Sequence, residues 1–275
     1  MRKIRLIPRM DIKGDNLIKG IQLEGVRIIG KPNDYAKKYY KQGADELLYM
    51  DAVASLYGRN NLKNIVSESV KNVFIPITVG GGIRSVDDAR EILRSGADKI
   101  AINTAAVKNP KLISDLVNIF GSSTVVVSIE AKYKSENSWE VYIESGREKT
   151  GLNVSEWALE VNKLGAGEIL LTSVDREGTG KGYDIKLYEE ASKITNVSLL
   201  AHGGAKNPSD VYEVFSKTDI DGAVIASAFH FNYYKELLDK KNIPLKGSTD
   251  FLKKNNNLPI LFGINNLKEY LKKKK

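Results

Sequence analysis

Two carboxylates stand at the ends of apolar segments about 120 residues apart, and they are the residues best suited to acid–base chemistry. Asp11 ends one segment and Glu130 ends the other, and each is followed two positions later by a lysine, Lys13 or Lys132. Two carboxyl groups can act as general acid and general base when their surroundings separate their pKa values. Because both copies keep the pattern, we favour catalysis over the alternative, in which each acid only pairs with its neighbouring lysine.

Glycine-rich turns also occur twice, and they indicate anion binding. The first is Gly80-Gly81-Gly82, before a predicted helix near Ser85, and the second is Gly203-Gly204, before one near Pro208. Glycine lets the backbone approach an anion closely, and the helix that follows offers free N–H groups. The predicted phosphate contacts are Gly81, Gly82, Asn103 and Thr104 in one half, and Gly203, Gly204 and Ser227 in the other. Two such sites predict a substrate with a phosphate at each end.

The elements that must position these residues alternate between strand and helix. Eight short apolar runs are predicted as strands, each followed by a loop and a helical pattern: 4–10, 46–51, 74–79, 99–103, 124–130, 168–173, 198–202 and 222–226. Helical periodicity is plain over 85–95, 110–120 and 154–164. Eight such units with an internal repeat predict a single (β/α)8 TIM barrel, in which the carboxyl ends of the strands form the active-site mouth.

The predicted barrel spans residues 1–230, with halves of about 1–121 and 122–230. Residues 231–275 are predicted to form a C-terminal extension with a closing helix, a loop around 255–259 and a basic tail. The alternating stretch 139–143 predicts a small hairpin after the fifth strand.

Composition excludes several classes of protein. The 275 residues include no cysteine and two histidines, so neither a thiolate site nor a metal site is expected, and no cofactor is implied. His202 is placed at the mouth as either a substrate contact or a spacer. The net charge of +8 suits a phosphorylated substrate as well as nucleic acid, but aromatic–basic interleaving is missing, so no nucleic-acid partner is expected. Neither a membrane span nor a signal peptide is recognisable, which predicts a cytoplasmic protein.

Over about residues 3–230 the chain resembles HisF, the cyclase subunit of imidazole glycerol phosphate synthase. The resemblance is carried by an ordered series of motifs: Asp11-Ile12-Lys13, Lys19-Gly20, Asp51, Val79-Gly80-Gly81-Gly82-Ile83, Gly96-Ala97-Asp98-Lys99, Ile102-Asn103-Thr104-Ala105-Ala106, Gly121-Ser122, Thr150-Gly151 and the segment 165–173. It implies a barrel that receives ammonia from a separate glutaminase subunit, HisH. The ammonia attacks a bisphosphorylated ribulosyl-formimino-aminoimidazole-carboxamide ribonucleotide to give imidazole glycerol phosphate and aminoimidazole-carboxamide ribonucleotide.

The resemblance also implies roles for individual residues. Asp11 would be the acid–base residue, Glu130 would stand where the family has its second catalytic aspartate, and Lys19 would lie in a flexible loop that closes on substrate. A charged ring at the barrel bottom would admit ammonia, and Asp98 would lie at the glutaminase interface; the ring residues are Arg5, Glu46, Lys99 and Glu168. A salt-bridged ring that serves stability alone is the alternative for those four charges.

Several positions depart from the family's pattern. Glu130 carries one more carbon–carbon bond, about 1.5 Å, than aspartate. Glu177 replaces a second aspartate of the mouth, and Arg9 and His202 stand where the family usually has small residues. These departures favour, as the alternative to a cyclase, a HisF paralogue that passes ammonia from a glutaminase to a sugar amidotransferase of surface polysaccharide biosynthesis. A third reading, sugar isomerisation of the HisA kind, is opposed by the charged ring and by Lys19.

Overall fold

The computed structural model describes residues 4–54, 62–239 and 262–274. Its twelve strands are β1 (Arg5–Lys13), β2 (Asn16–Ile21), β3 (Glu24–Gly30), β4 (Leu47–Asp51), β5 (Ile77–Gly80), β6 (Lys99–Ile102), β7 (Val125–Ser135), β8 (Ser138–Ile143), β9 (Glu148–Asn153), β10 (Glu168–Ser173), β11 (Ser198–His202) and β12 (Gly222–Ile225).

Eight of these strands are parallel and close into a barrel. The order around the barrel is β1-β4-β5-β6-β7-β10-β11-β12, and β12 pairs with β1 to complete the circle. The closing register sets Arg5 beside Gly222 and Ile7 beside Val224. The predicted (β/α)8 barrel is therefore confirmed, and the eight predicted strands agree with the observed ones to within a few residues.

Helices follow the barrel strands in the described part of the chain: α1 (Pro32–Lys41), α2 (Lys63–Ser69), α3 (Val86–Arg94), α4 (Thr104–Lys108), α5 (Lys111–Phe120), α6 (Val154–Lys163), α7 (Ile185–Ile194), α8 (Pro208–Lys217), α9 (Ser227–Asp239) and α10 (Ile264–Lys273). Local chemistry fixes several of their starts. Ser85 accepts from the Asp88 N–H at the start of α3, and Asn207 with Asp210 forms a capping box before α8. These caps fix where the helices begin behind the glycine-rich turns.

Two apolar layers hold the barrel. The larger one lies between the strands and the surrounding helices and includes Tyr35, Tyr39 and Tyr188. A separate cluster from the barrel strands consists of Ile7, Leu48, Ala101, Val126, Leu170, Leu200 and Val224. Strand alternation points these seven side chains to the opposite side from the helix-facing layer, so they fill the barrel interior.

Two antiparallel extensions rise from the mouth. The predicted stretch 139–143 lies in β8, which pairs with the extended end of β7 and with β9. The other extension, formed by β2 and β3, was not predicted. Lys19 therefore lies on a strand of this hairpin with its side chain buried, and its closing on substrate stays a prediction.

The C-terminal helix α10 packs against the barrel between α8 and α1. Lys268 on α10 pairs with Asp45, the Ile264 N–H reaches Gln42, and the Phe229 and Phe262 rings meet edge to face. The predicted loop at 255–259, together with Lys253 and Lys254, lies outside the described residues. Within the described ranges, no helix combines the length and apolar character needed to cross a membrane.

Candidate functional site

Asp11 and Glu130 lie buried at the mouth, on β1 and β7. The lysine two positions after each acid does not pair with it. Lys13 is exposed, and the Lys132 ammonium lies 4.4 Å from the centre of the Tyr142 ring. The partner of Asp11 is Arg9, whose Nε donates to Asp11 Oδ1 at 2.9 Å. Glu130 accepts the Gly146 N–H at 2.7 Å, from the turn between β8 and β9.

The two acids have pKa values displaced in opposite directions. Burial alone would raise the pKa of Asp11, but the Arg9 guanidinium and the Lys19 ammonium outweigh it and hold this pKa below its usual value. Burial raises the pKa of Glu130 to about 7, although Arg9 and the Gly146 N–H oppose that rise. Near neutral pH, Asp11 is therefore a carboxylate that can accept a proton, and Glu130 is a partly protonated acid that can donate one.

The first glycine-rich turn borders an open cavity of about 370 Å³, here called the first cup. Its lining includes the four predicted phosphate contacts Gly81, Gly82, Asn103 and Thr104, together with the predicted acid Glu130 and with Asp51 of the family motifs. Arg84, Lys108 and Glu144 also line it and were not predicted. Gly81 has a φ of +95°, and a β carbon there would lie 2.5 Å from the Asp51 carbonyl oxygen. Asn103 Oδ1 is buried without a hydrogen-bond partner. The cup thus offers cations and a polar wall beside Glu130.

The second glycine-rich turn borders a much smaller cavity, the second cup, of about 20 Å³. It is lined by the predicted Glu177, Gly203, Gly204 and Ser227, together with His202. That volume holds about one water molecule. The repeat therefore brings the predicted residues together in both halves but does not make the two cups equal, because the Glu177 and His202 side chains border the second one.

Lys19 and Glu177 form a buried ion pair that ties the β2–β3 hairpin to the mouth. Glu177 Oε2 accepts the Leu23 N–H at 3.0 Å, and the Glu177 carbonyl accepts the Gln22 N–H at 3.0 Å. Three contacts from one residue thus hold the strand of Lys19 and the hairpin turn against the loop that follows β10.

At the opposite end of the barrel, four charges form an alternating ring. Arg5 lies 3.3 Å from Glu46 and 2.6 Å from Glu168, and Lys99 lies 2.9 Å from Glu46 and 3.1 Å from Glu168. Thr78 and Ser198 hydrogen-bond to Glu46 and Arg5. The four residues predicted at the bottom of the barrel therefore do meet there. The apolar interior lies between this ring and the mouth.

Asp98 lies on the same end of the barrel as this ring. Its side chain is exposed, and its carboxylate accepts the Ile77 N–H at 2.8 Å. Among the described residues no group of three His, Asp or Glu side chains is arranged to hold a metal ion.

Some residues of the candidate site could not be chosen from sequence. Arg84 and Lys108 line the first cup, and the only hint was their position soon after the glycine-rich turn and after Asn103-Thr104. Gly146 orients Glu130 from a turn 16 residues away. Such contacts depend on how β8 and β9 fold back over the mouth.

Comparison with known proteins agrees with this geometry. Residues 5–235 match the family model described as histidine biosynthesis protein. The chain is 62% identical over 204 residues to the imidazole glycerol phosphate synthase subunit HisF of Legionella pneumophila, covering 74% of this chain and 96% of that relative. It is 46% identical over 248 residues to the HisF of Lactococcus lactis subsp. cremoris, covering 88% and 96%. It is 44% identical over 261 residues to the HisF of Nitrosopumilus maritimus, covering 88% and 98%. The chain therefore belongs to the histidine biosynthesis protein family, among its HisF members.

Proposed function

We propose that this chain is the cyclase subunit of an imidazole glycerol phosphate synthase, using ammonia delivered by a glutaminase subunit to convert the bisphosphorylated ribulosyl-formimino ribonucleotide. The observation that carries the proposal is the pair of buried acids, Asp11 and Glu130, with pKa values displaced in opposite directions. Attack by ammonia on a carbonyl carbon requires one group to take a proton from nitrogen and another to protonate the departing oxygen. We assign the first role to Asp11 and the second to Glu130.

The substrate's phosphates would occupy the two glycine-rich turns. The first cup offers Gly81, Gly82, Asn103 and Thr104 as contacts, with Arg84 and Lys108 supplying positive charge. Gly203, Gly204 and Ser227 would take the other phosphate. Because the second cup has room for about one water, phosphate binding there requires Glu177 to move, which would release Lys19 to the substrate.

Ammonia would enter through the ring of Arg5, Glu46, Lys99 and Glu168 and cross the apolar interior to the mouth. The glutaminase would dock on the end of the barrel that carries the ring. Phe74, in the loop before β5, is 73% exposed there, and Asp98 is exposed in the loop before β6. Aromatic side chains, phenylalanine among them, are enriched in protein interfaces relative to the rest of the surface.

Turnover of the bisphosphorylated ribonucleotide with excess ammonium salt, without a glutaminase, tests the proposal. The intact chain is expected to form imidazole glycerol phosphate, and Asp11→Asn is expected to reduce kcat at least a hundredfold, within the range of one acid–base group. Asp15→Asn, at a surface turn, is the matched control and should keep the activity. A folded intact chain without turnover would refute the cyclase.

The paired state of the mouth fits the alternative function, an ammonia conduit, but the comparisons do not favour it, because the relatives are named as HisF subunits of imidazole glycerol phosphate synthase. Asp11 is held by Arg9, Lys19 is held by Glu177, and the second cup is nearly filled. A barrel that only passes ammonia from a glutaminase to a sugar amidotransferase would need the ring and the interior but neither phosphate cup, whereas the first cup is open, with a volume of about 370 Å³. Absence of turnover, combined with ammonia transfer to such a partner, would favour this candidate, as would neighbouring genes for sugar modification in place of histidine genes.

A further inference from the structure

Arg9 is a buried cation with two partners on different strands. It is 4% exposed, its Nε donates to Asp11 on β1, and its Nη1 lies 3.3 Å from Nδ1 of His202 on β11. A guanidinium can only donate hydrogen bonds. His202 Nδ1 must therefore accept in this contact, which leaves the ring proton of a neutral His202 on Nε2.

His202 is held in the neutral form by its surroundings. Burial, together with the positive charges of Arg9 and Lys19, places the pKa of His202 well below its usual value. Thr172 Oγ1 also lies 3.2 Å from Nδ1, on the same side of the ring as Arg9. Both contacts use Nδ1, so Nε2–H is the ring donor left for a ligand, and His202 lines the second cup.

We propose that Arg9 is a positioning residue that fixes both the orientation of Asp11 and the tautomer of His202, so that the His202 Nε2–H is the donor which the second cup presents to an oxygen of an anionic ligand. One planar guanidinium connects the acid–base centre to the second cup. The other charged and titratable groups around this connection are Lys19 on β2, Glu130 on β7, Glu177 in the loop after β10 and His230 on α9.

The shape of the guanidinium is central to this role. Its Nε and Nη1 donors point in fixed directions and satisfy two acceptors at once, whereas a lysine ammonium at the same place is a point charge on a flexible stem. Arg9→Lys keeps the positive charge near Asp11 but does not hold both contacts. Arg9→Met removes the charge as well while retaining an unbranched apolar side chain. The two variants therefore separate charge from geometry.

The tautomer can be measured directly by ¹⁵N NMR of the histidine rings in the intact chain. The chain has only two histidines, so His202→Gln is enough to assign the signals of both rings. We expect His202 to show the Nε2–H form without titration between about pH 5.5 and 8. In Arg9→Met, and also in Arg9→Lys, the Nδ1–H form of His202 should become populated. An Nδ1–H tautomer in the intact chain, or an unchanged His202 in a folded Arg9→Met, would overturn the proposal.

The ligand half of the inference rests on the proposed function, but its test does not depend on turnover. Inorganic phosphate is the probe, followed through the His202 Nε2–H signal. It should shift that signal in the intact chain. In the variants its affinity is followed through the backbone amide signals of Gly203 and Gly204, which line the same cup, and it should fall roughly tenfold in His202→Gln and Arg9→Met, the size expected for one hydrogen bond to a charged ligand. No shift in the intact chain would refute the donor role even if the cyclase is active, whereas a shift without turnover would refute only the cyclase.

Discussion

At the scale of single residues, the protonation of Glu130 is coupled to folding. The pKa of Glu130 is about 7 in the folded chain, against 4.5 for an ordinary glutamate, so the folded state binds this proton more tightly than the unfolded state does. Stability from this group is therefore complete below about pH 4.5 and is lost as the pH rises through 7. Glutamine at this position cannot ionise. The Tm of Glu130→Gln minus the Tm of the parent is therefore expected to be roughly 2–6 °C larger at pH 8 than at pH 5.

Thermal unfolding at the two pH values measures this difference. Glu148→Gln is the matched control, because Glu148 is exposed on β9, and its effect should be the same at both pH values. Equal effects of Glu130→Gln at pH 5 and pH 8 would contradict a buried acid that carries a proton.

The sequence predicted the two acids but not what holds Asp11. Alternation along β1 places Arg9, Asp11 and Lys13 on one side of the strand, so spacing alone offers Asp11 two cations. Burial decides between them: Lys13 lies exposed past the barrel rim, while Arg9 lies inside, where a charge requires a partner. His202, the second partner of Arg9, lies 193 positions further along the chain, and no local pattern brings it there.

At the scale of elements, the β2–β3 hairpin depends on Glu177. Its two turn residues, Gln22 and Leu23, have φ values of 52° and 65°, a conformation that favours Asn-Gly, so local preference does not form this turn. Glu177 compensates through Lys19, the Gln22 N–H and the Leu23 N–H. We expect Glu177→Gln to accelerate amide hydrogen exchange across residues 16–30 roughly tenfold or more. One tenfold step corresponds to about 1.4 kcal/mol, and removing one partner of a buried ion pair costs at least that much because the other charge stays buried without it.

Hydrogen exchange followed by mass spectrometry resolves this segment. Glu213→Gln is the control, since it breaks the exposed Glu213–Lys217 pair on α8 and should leave residues 16–30 unchanged. Unchanged exchange in Glu177→Gln would mean that the hairpin stands without this contact.

The same hairpin shows where prediction from sequence ends. The eight barrel strands were predictable because each is a short apolar run between turn residues, and the helices between them carry caps such as Ser85 and Asn207. The hairpin lacks both signs: Gly20 and Gly25 interrupt its alternation, and its turn is made of Gln and Leu. Tertiary contacts form it, and a local pattern cannot report them.

At the scale of the whole molecule, the internal repeat fixes the strands but not the side chains that fill the mouth. Gly81 and Gly203 occupy matching turns with φ values of +95° and +111°. The first cup nevertheless measures about 370 Å³ and the second about 20 Å³. Both halves keep the glycine turn, whereas the Glu177 and His202 side chains border only the second cup. The two ends of a ligand therefore meet unequal surroundings.

The ring at the bottom connects the barrel to its proposed ammonia source, and Lys99 tests that connection. Lys99→Met removes the cation that faces both Glu46 and Glu168, so that Arg5 is the one cation of the ring left for two buried carboxylates. We expect a loss of about 1–3 kcal/mol in the free energy of unfolding, below the value for a fully buried pair because the Lys99 side chain is 16% exposed. Lys63→Met, which breaks the exposed Lys63–Glu91 pair, should cost less than about 0.5 kcal/mol.

The decisive comparison is between two ammonia sources at a temperature where both variants are folded. With ammonium salt supplied in solution, ammonia can reach the mouth from outside, so Lys99→Met should keep a kcat within about twofold of the parent, since its acid–base groups are untouched. With glutamine and a glutaminase subunit, ammonia must pass the ring. The turnover of Lys99→Met should then fall at least tenfold, while Lys63→Met behaves like the parent. If Lys99→Met loses stability but keeps the same ratio of the two activities as the parent, the four charges serve only to stabilise the barrel.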